Sequence, residues 1–184
     1  MADPITILGI AGSLRKDSYN KAALRAAQQL CPAGTKLEIY DITGLPLFNQ
    51  DEERNPNPKV TDFKQRIRAA DAILISTPEY NYSIPGVLKN ALDYLLPEYR
   101  RKPIGIATVS GGGFGGLNCL AQLRLVTLGM GAFPIPAAFP VSKVQDSFAE
   151  DGTPKDPMLE KRAQAFVGEM LWFTEAIAAQ KARG

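Results

Sequence analysis

The sequence has 184 residues, which is enough for one domain with a full hydrophobic core, and a second domain is not expected. Hydrophobic residues make up 45% and charged residues 22% of the chain, as in ordinary globular proteins. Twenty-one Lys and Arg against nineteen Asp and Glu give a formal net charge of +2, which does not support nucleic-acid binding. The chain contains no histidine, and this excludes His-dependent triads and His-ligated metal sites. We therefore expect a single domain, residues 1–184, whose chemistry needs no imidazole.

Cysteine usage and the chain start predict the compartment. Cys31 and Cys119 are far apart and form no CxxC motif, which favours free thiols in a reducing cytoplasm. The N-terminus lacks the basic segment of a signal peptide and is predicted to form a first strand. No apolar run approaches the roughly 18 residues that a membrane span needs. A cytoplasmic protein without membrane association is the prediction.

Apolar runs and amphipathic stretches alternate along the chain. In order they predict a strand at 5–11, a helix at 21–30, a strand at 36–40, an irregular connection at 41–58, a helix at 61–70, a strand at 72–76, a helix at 87–96, a strand at 104–109, a helix at 117–128, a strand at 137–141 and a helix at 158–181. Such alternation predicts an α/β fold, a doubly wound parallel sheet with helices on both faces. Five strands favour the flavodoxin-like order 2-1-3-4-5 over the six-stranded dinucleotide-binding type.

A polar segment follows the first strand and precedes a helix. Its hydroxyl, amide and guanidinium groups are Ser13, Arg15, Ser18 and Asn20. Helix N-terminal N–H groups and hydroxyls favour an anion, and arginine can bind phosphate in a bidentate manner. The alternative is a simple connection in which Asp17 or Ser18 caps the helix. The segment is not a P-loop, because GxxxxGK[ST] is absent.

The segment after the fourth strand, GGGFGG at 111–116, formally satisfies the GxGxxG pattern. The dinucleotide fingerprint also needs an acidic residue about 20 positions later, and none occurs from 117 to 145. We interpret the match as accidental. The glycines nevertheless allow the backbone to approach a flat ligand closely, although a merely flexible loop is the alternative.

The segment after the third strand, PEYNYS at 78–83, combines aromatic and polar side chains. Tyr80 and Tyr82 offer ring faces, while Glu79 and Asn81 offer hydrogen-bonding groups, a mixture that suits a planar heteroaromatic ligand. In the alternative, both tyrosines pack beneath the next helix and Asn81 starts a turn, with Pro85 in the first helical turn.

These three segments are expected to meet. In a 2-1-3-4-5 sheet, the loops after strands one, three and four open at the same carboxyl edge, around the switch point. The loop after strand one suits a phosphate, the loop after strand three suits an aromatic ring, and the glycine loop after strand four allows a close backbone approach. Together they predict a site for a mononucleotide with a flat, polar ring.

The motifs GSLRKDSYN and PEYNYSIPGVLKNALDYL resemble those of the NADPH-dependent FMN reductase family, which includes bacterial quinone, chromate and azo-dye reductases of flavodoxin-like fold. The likeness covers nearly the whole chain. It implies non-covalently bound FMN, NADPH or NADH as co-substrate, and a homodimer or homotetramer with sites near the subunit interface. The cofactor-binding positions that it implies are Ser13, Arg15, Ser18, Tyr19, Asn20, Pro78, Glu79, Tyr80, Asn81, Ser110, Gly111 and Gly112.

The resemblance implies an enzyme that works in two half-reactions. Hydride passes from NAD(P)H to FMN, the nicotinamide leaves, and a quinone, chromate or related acceptor takes the electrons at the same flavin face. The flavin carries the chemistry, so no catalytic side chain is expected. The alternative is a non-enzymatic electron carrier or redox-responsive flavin-binding protein, although a net charge of +2 disfavours the acidic carrier type.

Several residues are candidates for contacts outside the flavin. Tyr82 and Arg101 are predicted to contact the substrate, with a solvated basic helix end as the alternative for Arg101. Arg124 and Glu150 are candidates for ion pairs between subunits, and the helix at 87–96 is a candidate dimer surface.

Overall fold

The computed structural model describes residues 4–95, 97–149 and 151–183. Its elements are β1 (Ile5–Ala11), α1 (Tyr19–Gln29), β2 (Thr35–Tyr40), a 3₁₀ turn (Gln50–Glu52), α2 (Pro58–Ala69), β3 (Ala72–Pro78), α3 (Gly86–Asp93), β4 (Pro103–Val109), α4 (Leu117–Gly129), β5 (Phe133–Val141), a 3₁₀ turn (Val144–Asp146) and α5 (Pro157–Ala182). The five strands are parallel and lie in the order β2-β1-β3-β4-β5. The predicted doubly wound, flavodoxin-like sheet is confirmed.

The sheet is covered on both faces. Helices α1 and α5 pack on one face, where Ile7 of β1 and Leu74 of β3 point. Helices α2, α3 and α4 pack on the other face, where the alternate residues Leu8 and Ile73 point. Because the central strands are buried on both sides, their sequences are nearly continuous apolar runs. Each fully buried side chain of this size contributes about 1.5–3 kcal/mol to stability.

Three predicted boundaries differ from the structure by three residues or more. Strand β5 begins at Phe133 rather than at 137, because it is an edge strand and its prolines need not donate to a second neighbour. Helix α2 begins at Pro58, three residues earlier than predicted, with Asn57 as a cap that accepts from the Lys59 N–H at 2.9 Å. Helix α3 ends at Asp93, whereas the prediction extended to a residue that lies outside the described part of the chain.

The ends of β1 and β3 are held very close together. Gly12 donates its N–H to the Ser76 carbonyl at 2.7 Å. A Cβ at Gly12 would lie 2.5 Å from Oγ1 of Thr77, so only glycine fits there without a shift of β3. This approach brings the loops that follow β1 and β3 side by side at the carboxyl edge. Among the described residues, no helix is long and apolar enough to cross a membrane.

Candidate active site

The loop between β1 and α1 ends in a buried polar network. Ser18 is the N-cap of α1, and its Oγ accepts from the backbone N–H of Asn20 at 3.2 Å and from Asn20 Nδ2 at 3.3 Å. Asn20 Oδ1 accepts from the hydroxyl of Ser76 on β3 at 3.2 Å. All three residues are at most 4% exposed. Ser18 therefore caps α1, and Asn20 fixes α1 to the end of β3.

The rest of this loop presents unused donors. Ser13 is buried, and its Oγ accepts from the Arg15 N–H at 3.4 Å. Within the described chain, no acceptor is found for the backbone N–H groups of Lys16, Asp17 and Tyr19. Free N–H groups at a helix N-terminus, beside the exposed cationic side chains of Arg15 and Lys16, favour an anion. The loop therefore has the donor set that a phosphate needs.

The loop between β3 and α3 is a tight turn. Tyr80 and Ser83 exchange two backbone hydrogen bonds of 3.1 and 3.0 Å, and the residues between them, Asn81 and Tyr82, have φ values of 49° and 61°. Two consecutive positive φ angles define a type I′ geometry, which costs a tyrosine about 1–2 kcal/mol. Tyr80 is 49% and Tyr82 77% exposed, so the alternative in which both rings pack beneath the helix is wrong. Asn81 does take part in the turn, as that alternative proposed.

Helix α4 anchors this turn through side chains that are distant in sequence. Gln122 Nε2 donates to the Tyr82 carbonyl at 2.7 Å, and Gln122 Oε1 accepts from the Ser83 hydroxyl at 2.6 Å. Both amide atoms of one side chain therefore hold the turn against α4. Sequence reasoning missed Gln122, because nothing local marks a contact across about 40 positions.

Glu79 contributes a second anchor at the start of α4. Its Oε2 accepts from the backbone N–H of Cys119 at 3.0 Å, and its Oε1 accepts from Asn118 Nδ2 at 3.1 Å. The hydrogen bond from the Cys119 N–H, joined by that from Asn118, holds the pKa of the Glu79 carboxyl below its usual value, whereas partial burial acts in the opposite direction. The helix dipole favours the same ionised form. Glu79 therefore stays a carboxylate at neutral pH and caps α4.

The glycine loop after β4 is held by its own hydrogen bonds. Ser110 Oγ donates to the Gly112 carbonyl at 3.0 Å and accepts from the Gly115 N–H at 3.1 Å, so its hydroxyl shapes the loop. Thr108 Oγ1 donates to the Gly115 carbonyl at 2.5 Å. A Cβ at Gly112 would meet nothing within 4 Å, so this side of the loop is open to a ligand. The loop is structured, and the flexible-loop alternative does not describe it.

These two loops border a groove of about 360 Å³, which falls in the size range of ligand sites. The groove is lined by Glu79, Asn81, Tyr82, Ser110, Gly112, Phe114 and Gly116. Phe114 is 85% exposed at its edge and was not among the predicted site residues, although an aromatic residue inside a glycine run is a usable signal. Pro78, at the end of β3, pairs with Val109. The groove offers aromatic edges and unobstructed backbone, which suits a flat ring.

Arg101 does not join this site. It precedes β4, so it lies at the amino edge of the sheet, and its N–H donates to the Gly131 carbonyl at 2.8 Å. The seven residues of β4, at about 3.3 Å each, separate it from Ser110 by roughly 20 Å. The prediction that Arg101 contacts the substrate is wrong for the groove of its own chain.

The candidates for subunit ion pairs remain predictions. Arg124 donates to the Pro136 carbonyl of its own chain at 2.6 Å. Glu150 lies outside the described residues.

The site fits FMN. The donor set at the start of α1 suits a phosphate, and the groove beside Gly112 is open to a planar ring. Both open at the carboxyl edge, where parallel α/β sheets bind mononucleotides. Fold and site thus define a flavodoxin-like protein with a mononucleotide site.

Known proteins agree with this class. Residues 5–146 match the family described as NADPH-dependent FMN reductase. The chain is 40% identical over 178 residues to an NAD(P)H-dependent FMN reductase from Pseudomonas aeruginosa, covering 93% of this chain and 94% of that protein. A quinone reductase from Pseudomonas putida is 39% identical over 147 residues, 76% and 79% of the two chains. FerB from Paracoccus denitrificans, a flavoenzyme NAD(P)H:(acceptor) oxidoreductase, superposes with a TM-score of 0.84 at 31% identity and covers 94% of this chain and 98% of its own.

The chain belongs to the NADPH-dependent FMN reductase family. It is an FMN-dependent oxidoreductase with NAD(P)H as co-substrate.

Proposed function

We propose that this enzyme uses NADPH or NADH to reduce quinones, and related small acceptors such as chromate, in two half-reactions at one FMN face. The main support for the proposal is that the β1–α1 loop, which suits a phosphate, and the open groove beside Gly112, which suits a ring, lie at the same edge of the sheet. Relatives named quinone reductase support the acceptor class.

Each loop has its own task in this proposal. Ser13, Arg15 and the N–H groups that follow them bind the FMN phosphate, while the buried network of Asn20 fixes α1 for it. The groove between Tyr82 and Gly112 positions the ring and limits its contact with water. When bound, FMN supplies the hydride-accepting and electron-donating chemistry.

Two exposed aromatic side chains flank the groove mouth, and we propose that they receive the acceptor. Tyr82 and Phe114 are 77% and 85% exposed, so neither ring serves the core. The strained backbone of Tyr82 is held by Gln122, whose Nε2 donates to the Tyr82 carbonyl, so the turn that carries the ring is fixed at the edge of the groove. A flat quinone could stack on such a ring, a contact worth about 0.5–1.5 kcal/mol.

The test is steady-state turnover over a panel of quinones, chromate and an azo dye, in the wild type and in Tyr82→Asn. Asparagine tolerates a positive φ, so this variant keeps the turn and removes the ring. We expect the KM for quinones to rise about 3- to 10-fold, which corresponds to the loss of one aromatic contact. Trp172→Ala is the control, because Trp172 is an exposed aromatic residue on α5. Absence of quinone turnover in an enzyme that NADPH does reduce would refute quinones as the acceptors, whereas a flavin that stays oxidised in NADPH would favour the electron-carrier alternative.

We also propose that the chain forms a homodimer, or a tetramer built from such dimers, through α4. Leu117, Leu125 and Leu128 lie on one side of α4 and are 51%, 71% and 57% exposed. This apolar stripe begins directly after the glycine loop, so a second copy there would lie near the groove mouth. Light scattering should show that Leu125→Glu lowers the oligomeric state, whereas Met158→Glu on α5 should not. An unchanged mass for Leu125→Glu would rule out α4 as the interface.

A cytoplasmic location is proposed as well. Both cysteines are free thiols, with Cys31 half-buried and Cys119 buried. A reducing compartment would keep them in that state.

A further inference from the structure

One side of α5 is exposed and largely apolar. Its residues are spaced three or four positions apart, so they lie in a row on the side of the helix that faces away from the sheet. All of them are exposed, and they are Lys161, Ala165, Gly168, Trp172, Ala176 and Ala179. The row is about 27 Å long. We call it the α5 stripe, and it has no role in the function described so far.

The glycine of the α5 stripe has no explanation within its own chain. Gly168 lies inside a long helix, where glycine is the least favourable residue after proline. A Cβ on Gly168 would meet nothing within 4 Å, so no contact with the described chain requires glycine there. Gly105 differs, because a Cβ there would lie 2.8 Å from the Sδ of Met170. A missing Cβ on an exposed helix face leaves a notch into which a group from outside can fit closely.

A large aromatic side chain stands one helical turn from this notch. Trp172 is 62% exposed and follows Gly168 by four positions. Its ring lies edge-to-face with the ring of Phe173, with centroids 4.9 Å apart, and Phe173 packs against the core. The indole is therefore supported from below and still presents apolar surface to the outside. The α5 stripe thus carries a knob and a notch side by side.

A knob and a notch on one face are complementary to the same face of a second copy. In a contact with two-fold symmetry, each residue meets its counterpart in both directions. Two antiparallel α5 helices therefore place Trp172 of each copy over Gly168 of the other, which buries both indole rings. A parallel pair would bring Trp172 against Trp172 and would leave both notches empty.

The antiparallel register also brings opposite charges together. It places Arg183, after the end of one α5, opposite Asp156 at the start of the other. It places Lys161 of one copy within about one helical turn of Glu175 of the other. All four side chains are exposed and carry full charges at neutral pH. In a parallel pair, like charges would meet instead, so charge complementarity favours the antiparallel contact with a second copy.

We propose that a second copy of this chain docks on the α5 stripe as an antiparallel helix pair, with Trp172 of each copy over Gly168 of the other. Helices α4 and α5 cover opposite faces of the sheet, so this contact is separate from the proposed α4 contact. It joins two dimers formed through α4 into a tetramer. Trp172 lies about 20 Å along α5 from the start of the helix, so the contact leaves the ring groove open.

The test is light scattering of the FMN-loaded protein, combined with the fluorescence of Trp172, which is the only tryptophan of the chain. Gly168→Leu fills the notch and should halve the mass of the wild-type assembly. Since a Cβ there meets nothing in the described chain, the variant should keep its helix content and its FMN. Trp172 should emit at shorter wavelength in the wild type than in Gly168→Leu, because the contact removes the indole from water. Ala178→Leu, an exposed position on another side of α5, is the matched control and should keep the wild-type mass.

A charge exchange tests the register. Lys161→Glu should weaken the association about 3- to 5-fold, as for an exposed ion pair, and Lys161→Glu/Glu175→Lys should restore it. Met158→Glu should not weaken it, because position 158 lies close to Arg183 of the second copy in this register. Sedimentation over a range of protein concentrations measures these dissociation constants.

Two results would overturn the inference. One is an unchanged mass of Gly168→Leu, and the other is equal Trp172 emission in the wild type and in Gly168→Leu. A double charge variant that associates no better than Lys161→Glu would overturn the antiparallel register. Failure of the proposed α4 contact would look different, because Leu125→Glu would then keep the wild-type mass while Gly168→Leu would give monomers.

Discussion

Glu79 lines the ring groove and at the same time caps α4, and Glu79→Gln tests this capping role. The carboxylate accepts from the Cys119 N–H at 3.0 Å and from Asn118 Nδ2 at 3.1 Å, so it acts as a cap for α4 although it belongs to the preceding loop. Loss of a capping acceptor costs about 0.5–2 kcal/mol, and loss of a charge at a helix N-terminus about 0.3–1 kcal/mol. Glutamine keeps one acceptor, and the side chain is only half-buried, so we expect a loss of about 1 kcal/mol.

The assay is urea denaturation of the flavin-free protein, followed by circular dichroism, so that cofactor binding does not enter the result. In a parallel thermal scan, a loss of about 1 kcal/mol corresponds to a fall in Tm of about 2–4 °C for a chain of this size. Glu175→Gln, on an exposed position of α5, is the control and should stay within about 0.5 kcal/mol of the wild type.

The pH dependence of this difference has a definite sign. The folded state lowers the pKa of Glu79, so the unfolded state binds more protons in the acidic range and stability rises with pH there. The difference between wild type and Glu79→Gln should therefore be complete above the unfolded pKa of about 4.3 and should vanish as pH falls through the lower folded pKa. Equal stability of the two proteins at pH 7, or a difference that does not shrink as pH falls below the unfolded pKa of about 4.3, would refute the capping role.

Two further predictions concern stability. Among the described residues, the buried Tyr99 hydroxyl has no hydrogen-bond partner, so Tyr99→Phe should leave stability unchanged or raise it by about 1 kcal/mol. Tyr40→Phe loses a 2.7 Å hydrogen bond to the Asp62 carboxylate and should lower stability by about 1 kcal/mol. Thermal unfolding of both variants measures this, and destabilisation by Tyr99→Phe alone would contradict it. Gly12→Ala places a Cβ 2.5 Å from Thr77 Oγ1, so it should lower the free energy of unfolding by about 1–3 kcal/mol and weaken FMN binding. At Gly86 a Cβ meets nothing within 4 Å, so Gly86→Ala should change neither quantity to that extent. Urea denaturation and FMN titration measure these effects. Equal stability and equal FMN affinity of the two alanine variants would contradict the prediction.

Sequence patterns predicted the sheet order and the three loops at its carboxyl edge. They succeeded because β1, β3 and β4 are buried on both faces, which leaves nearly continuous apolar runs, and because loops that follow parallel strands must open at one edge. Arg101 could have been excluded on the same logic, since a residue that precedes a parallel strand lies at the opposite edge.

The anchoring of the turn at Tyr82 was not predictable. Type I′ turns favour Asn-Gly, and the pair Asn81–Tyr82 lacks the glycine that would have marked the turn. The contacts of Glu79 and Gln122 join segments about 40 positions apart, and neither side chain has a local pattern that specifies its partner. Likewise, a lone glycine in a loop does not reveal the close approach of Gly152 to α1.

Anaerobic mixing of the purified protein with NADPH tests the central claim most directly. We predict a yellow protein that carries FMN, releases it on denaturation, and loses its flavin absorbance on addition of NADPH, with the colour restored by a quinone. A colourless protein that does not take up added FMN would contradict the cofactor site, and a flavin that stays oxidised in NADPH would contradict the reductase activity.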